Sequence, residues 1–268
     1  MLRQRVIITI VALPILVWLI INGGRLYVLA IAVALGIAAS EFGQLFRRAD
    51  LRPSIPLLVI GVVGLVVARF ELEADQTALL LAVVALLSMT WHLVDYERGA
   101  PRSGTDFAVT LAGIIYIGWI GAYLVSLRSL PEGQWWVLIA LPVVWIADSA
   151  AYFLGKRFGK RPLSPRLSPN KTWEGYLSGV IAGTASGAGL AALFTSLGGD
   201  VTMLGGAIVG FLVATIAPLG DLGISMMKRE MNAKDTGTLL SAHGGALDRI
   251  DSWLWAGVLG FYAVVWLA

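Results

Sequence analysis

The sequence predicts an all-α integral membrane protein, a polytopic bundle of about nine transmembrane helices. Three observations carry that expectation. Hydrophobic residues make up 57% of the 268 and charged residues 14%, whereas a soluble domain carries about 25% charge. The apolar residues fall in blocks close to the roughly 20 residues that a helix needs to cross a hydrocarbon core about 30 Å thick. When those blocks alternate across a bilayer, 17 of the 20 Lys and Arg fall on one side, as positive-inside topology requires.

The blocks are 6–22, 26–42, 54–70, 77–94, 106–127, 135–155, 174–197, 201–220 and 252–268. Lipid offers no hydrogen bonds, so a backbone crossing it must satisfy its own groups, and a helix does so within one segment. The alternation of a membrane β-barrel is absent. The first block follows a basic start, as in a signal peptide, but the run is long and no small-x-small cleavage site follows, so it reads as a retained helix. Some blocks are short, and one of them is a candidate re-entrant segment. The N-terminus is expected in the cytoplasm and Ala268 outside. Only Arg25, Arg69 and Arg128 then lie on the outer side. The chain reads as a single membrane domain, with N-terminal helices over 1–130 and the chemistry over 131–268.

With no cysteine, disulfides, thiolate zinc sites, iron–sulfur clusters and thiol catalysis are excluded. The net charge of +3 lies in loops beside a membrane, so nucleic acid is not an expected partner. Arg47, Arg48, Arg52, Arg98 and Arg102 read as topology anchors on anionic headgroups.

Two inner loops contain more than topology requires. One is KRFGKRPLSPRLSPNK, from Lys156 to Lys171; the other runs from Asp221 to Asp251. Asp148 lies in the apolar run before the first. A carboxylate at such a depth costs about 2.5–3.5 kcal/mol even on the lenient insertion scale, so it needs a polar or cationic partner. If the eighth helix continues past Asp221, then Ser225, Lys228 and Arg229 fall along one face with it. A carboxylate, a hydroxyl and two cations in a row suit a hard metal held beside phosphates; an amphipathic helix on lipid headgroups is the other reading. In HGGALDRID, Gly244 and Gly245 permit close backbone approach. Asp248 and Asp251 share a helical face, and Arg249 can neutralise phosphate near a helix N-terminus. Gly175, Gly179, Gly183 and Gly187 recur every four residues, a stripe for close helix packing within the chain or between two chains. Trp91, Trp135, Trp136, Trp173 and Trp253 read as interfacial belts, and His92 as an interfacial residue without a partner.

The ordered run Ser225, Lys228, Arg229, Lys234, Asp235, Gly237, His243, Gly244, Gly245, Asp248, Arg249 and Asp251 closely resembles the signature of the phosphatidate cytidylyltransferases. The runs Ala147–Phe153, Gly155–Lys160 and Leu167–Gly175 resemble the same family. The likeness covers about the last half of the chain. It implies that CTP and phosphatidate give CDP-diacylglycerol and pyrophosphate, with Mg2+ and room for a second cation. It further implies catalytic roles for Asp221, Asp248, Lys228, Arg229, His243 and Arg249. Ser168, Lys171, Ser225, Lys234, Asp235, Gly244 and Gly245 would bind substrate, and Asp221, Asp248, Asp148 and Asp251 would hold metal. The setting implied is a bacterial-type cytoplasmic membrane, with the site facing the cytoplasm and a homodimer left open. The rival is a transporter with a charged cytoplasmic-side site, although transporter sites lie near the midplane between repeats. The motif of the CDP-alcohol phosphotransferases is missing.

Overall fold

The computed structural model describes residues 2–237 and 244–267, with side chains from residue 12 onward. His243 lies outside the described residues. The helices are α1 (Leu2–Asn22), α2 (Gly24–Arg47), α3 (Ile55–Glu71), α4 (Ala74–Glu97), α5 (Ser103–Gly113), α6 (Tyr123–Ser129), α7 (Gly133–Phe158), α8 (Trp173–Ser196), α9 (Met203–Ile216), α10 (Pro218–Glu230) and α11 (Leu247–Leu267). A π-helical turn, Ile114–Trp119, lies between α5 and α6, and two short strands, β1 (Pro162–Ser164) and β2 (Ser168–Thr172), between α7 and α8.

Among the described residues, seven helical stretches are long and apolar enough to span a membrane: α2, α4, α5 through α6, α7, α8, α9 through α10, and α11. The protein is an integral membrane protein of helical type. α3, at 17 residues, is slightly shorter, and the stretch Ala12–Asn22 of α1 is much shorter.

Three expectations are corrected. The block 106–127 is not one α-helix, because its ladder widens into the π-helical turn. There Gly118 lies so close to the Val62 backbone that a Cβ would sit 3.0 Å from its Cα. The block 201–220 breaks at Ala217 and continues to Glu230; Pro218 has no N–H to carry α9 onward and is well placed to start α10. The Tyr176 hydroxyl donates to the Thr215 carbonyl at this break (2.8 Å). The inner loop after α7 is an antiparallel hairpin pairing Pro162 with Thr172 and Ser164 with Ser168.

The chain forms two compact units: Met1–Val125 with Glu230–Ile250, and Ser126–Arg229 with Asp251–Ala268. In the first, α2 buries Val28, Ile31, Leu35, Ala38, Phe42 and Leu45 at helical spacing, and α3 buries Leu58, Val62 and Leu65. Gly113 leaves room for Phe42 and Leu58. Lipid tails are as apolar as these side chains, so close packing and polar links, rather than escape from water, hold such helices together. One link is a buried polar knot. Asp106 accepts from the Arg52 backbone N–H at 2.6 Å, and the Thr110 hydroxyl accepts from Ser54 N–H at 3.1 Å. His92, expected without a partner, has one: it is 2% exposed, with Nε2 2.9 Å from Thr110 Oγ1. The Thr110 hydroxyl proton goes to the Asp106 carbonyl (2.8 Å), so Nε2 is the donor to Thr110.

In the second unit, α8 packs on α7 and α9 through the glycine stripe. A Cβ on Gly179 would meet the Ala147 carbonyl at 2.9 Å, and one on Gly175 the Ala151 carbonyl at 2.5 Å. Gly187 faces Gly206 and Gly210 of α9 with no room for a side chain. The stripe is used inside the chain.

Candidate active site

The second unit gathers charge at the end of its helices. Its scaffold is the hairpin. Gly155, in the last turn of α7, and Gly159, just after it, leave space that Thr172 fills. Thr172 then caps α8, its Oγ1 accepting from Gly175 N–H (3.2 Å), the role that a short hydroxyl plays at an N-terminus. Glu174 Oε2 accepts from the Lys160 and Arg161 backbones at 3.0 and 3.2 Å, and Trp173 N–H donates to the Arg161 carbonyl. Both ends of the hairpin are therefore tied to α8.

That anchorage fixes β2, which carries Ser168 and Lys171. Lys171 Nζ lies 2.5 Å from Asp221 Oδ2, with the two side chains 32% and 36% exposed. Charge-assisted hydrogen bonds are among the strong ones. Asp221 lies in the first turn of α10, where the helix dipole favours a carboxylate. Asp148 of α7 lies within the electrostatic reach of both Lys171 and Asp221. Asp251 of α11, 6% exposed, is subject to the charges of Asp221 and Lys228. Gly220 permits that approach: a Cβ there would meet the Asp251 carbonyl at 2.6 Å. Asp148, Lys171, Asp221, Lys228 and Asp251, distant in sequence, thus form one electrostatic set. Ser225 and Arg229 continue along α10, with Arg229 exposed.

Among the described residues, no three His, Asp or Glu side chains converge as a ready-made metal cage. Magnesium does not require one. It keeps several waters and is held by one or two carboxylates together with substrate phosphates. A half-exposed Asp221 carboxylate with two further aspartates in its field fits that open type of site, and its pairing with the Lys171 ammonium marks where positive charge is wanted.

The first unit contains the other expected residues. Asp248 Oδ2 accepts from the Thr236 N–H and hydroxyl, both at 3.0 Å, and from Gly245 N–H at 3.2 Å. One carboxylate oxygen therefore ties Thr236 to Gly245. Gly244 has φ +81° and lies 3.5 Å from the Asp235 and Asp248 carboxylates at its Cβ position, a conformation that suits glycine. The space beside Gly245 is taken by Thr236 Oγ1 and Glu41 Oε2. Lys234, Asp235 and Arg249 are exposed.

Three residues of this region were not expected. Glu41 and Thr236 are buried at the base of the loop. Arg48, read as a topology anchor, donates to the Asp235 carbonyl (3.1 Å). Glu41 had a legible signal, since it is a carboxylate inside the apolar block 26–42, the same sign that singled out Asp148. Nothing local distinguishes Arg48 from its neighbours.

The fold is that of a polytopic helical membrane protein, with a charged set at the ends of its helices. The model of the cytidylyltransferase family matches residues 3–267, and the chain belongs to that family. It is 35% identical to the phosphatidate cytidylyltransferase of Brucella suis biovar 1 (strain 1330), over 96% of this chain and 91% of that one. It is 34% identical to that of Pseudomonas aeruginosa, over 100% and 98%, and 31% identical to that of Bacillus subtilis (strain 168), over 94% and 93%.

Proposed function

We propose that this chain transfers the cytidylyl group of CTP to phosphatidate, giving CDP-diacylglycerol and pyrophosphate for phospholipid synthesis. The observation that carries the reading is the Lys171–Asp221 pair, set among Asp148, Lys228 and Asp251 in one compact unit. The relatives named above are full-length matches called phosphatidate cytidylyltransferases, which supports the same chemistry.

The lipid phosphate is already an anion, so its oxygen can attack the α-phosphorus of CTP without a strong general base. The bond to the β-phosphate bridging oxygen breaks, and pyrophosphate leaves with that electron pair. Such a transfer needs positioning and neutralisation of charge. Lys171, Lys228 and Arg229 supply cations, as point charges and as a planar fork. Asp221, supported by Asp148 and Asp251, would hold Mg2+, with a second cation accommodated by the same carboxylates. When bound, the metal neutralises triphosphate oxygens. Asp248 ties Thr236 to Gly245, beside Lys234, Asp235 and Gly244, and Arg249 follows it in α11. His243 would assist by hydrogen bonding or proton transfer.

We place the N-terminus and both charged loops in the cytoplasm, where CTP is found, with nine crossings and Ala268 outside. The 17-to-3 division of basic residues supports that orientation, and the apolar α1 and α3 supply the two crossings beyond seven. The membrane is then the bacterial cytoplasmic membrane. The purified protein, incubated with α-labelled CTP and phosphatidate, should move label into lipid at a rate that requires both substrates. Label appearing in lipid without phosphatidate, or none in its presence, contradicts the reading.

A further inference from the structure

Glu41 lies on α2 at 2% exposure, remote in sequence from every motif of the site. Its Oε2 accepts from Leu247 N–H at 3.0 Å and lies 3.3 Å from the Thr236 hydroxyl, whose one proton it shares with Asp248 Oδ2 at 3.0 Å. These residues are the two ends of the segment that carries Gly244, Gly245 and, immediately before it, Lys234 and Asp235. A Cβ on Gly245 would meet Oε2 at 2.6 Å, and Gly237 leaves no room between itself and Oε1. Gly237 therefore owes its lack of a side chain to this carboxylate, and Gly245 to it together with Thr236 Oγ1. Oε1 is buried and has no partner among the described residues. A buried carboxylate is retained at a cost, and here its geometry joins α2 to both ends of one loop. Asp248 makes the second closure through Thr236 and Gly245.

We propose that Glu41 is a positioning residue for the transferase reaction. It clamps Thr236 and Leu247 together and so sets the loop of Lys234, Asp235, Gly244 and Gly245 against substrate phosphate, without touching substrate itself. The inference rests on the proposed function for its kinetic consequence, but the clamp can be read without substrate.

The test compares Glu41→Gln, Glu41→Asp and Glu41→Ala in the purified full-length protein. Gln keeps a carbonyl oxygen that can accept from Leu247 and Thr236; Asp falls one methylene short; Ala removes the acceptor. Amide exchange over peptides containing Thr236 and Leu247 should quicken in the Ala and Asp variants and stay near wild type in Gln, with α3 to α5 protected in all three. The KM for CTP or for phosphatidate should rise roughly tenfold or more in Ala and Asp, the scale of losing a buried hydrogen bond to a charged group, and return towards wild type in Gln. Wild-type exchange and KM in Ala would overturn the proposal. So would a Gln variant as impaired as Ala with normal exchange, because the charge rather than the clamp would then matter. A loss of active protein at unchanged KM would mean general stability and likewise overturn it. If wild type itself turns over no CTP, the functional reading fails, while the exchange result still decides the clamp.

Discussion

Lys171 and Asp221 are 50 residues apart in sequence and 2.5 Å apart in space. Topology needs a positive charge on the correct side, whereas a phosphate clamp needs a particular donor at a particular place. Lys171→Ala and Arg229→Ala should therefore insert normally and lose turnover, by about 2–4 kcal/mol if they act as other stabilisers of transition-state charge do. Arg98→Ala is the matched control; Arg98 is exposed at the end of α4. Equal rates for control and variants at limiting substrate would remove the clamp role. Away from the site, Thr110→Val should cost about 1–3 kcal/mol for each buried partner it strands, read as a lower melting temperature in detergent; an unchanged melting temperature would exclude the knot as a stabiliser. The acidic and basic residues of the site were legible because a charge beside apolar blocks needs a reason. The partners of His92 and Arg48 were not legible, because they come from helices and loops whose proximity no local pattern encodes.

At the level of the element, the sequence's glycine stripe and the structure agree on purpose: α8 is smooth so that α7 and α9 can approach its backbone. Gly187→Ala should destabilise the protein by about 1–3 kcal/mol through overpacking, because a Cβ there meets Gly206 and Gly210 of α9. Gly175→Ala has a second consequence. It intrudes on Gly155 and Thr172, which seat the hairpin, so activity should fall further than stability. Comparable melting and activity in Gly175→Ala and wild type would refute that coupling. The hairpin itself was hidden in a loop of prolines and cations, since strands of three and five residues give too few alternations to read. The π-helical turn was equally hidden, because its register change has no composition of its own.

Over the whole molecule, the helical membrane architecture was readable from block length and charge sidedness, both set by the bilayer rather than by tertiary contacts. The grouping of Glu230–Ile250 with the N-terminal helices was not readable, because long-range contacts such as Glu41 to Leu247 leave no local pattern. Reporter fusions test the proposed topology: Ala268 should report outside, and the 156–171 hairpin inside. A cytoplasmic Ala268 would contradict nine crossings.

Under the proposed function, Lys171 and Asp221 act as one reaction centre for cytidylyl transfer. A double-mutant cycle measures it most directly, with Lys171→Ala, Asp221→Asn and the double variant assayed on CTP and phosphatidate after folding is checked. Residues that act as a unit are strongly non-additive. Each single variant should lose most turnover, and the double variant should be little worse than either. Near-normal turnover in either folded single variant, or losses that simply add, would contradict the account.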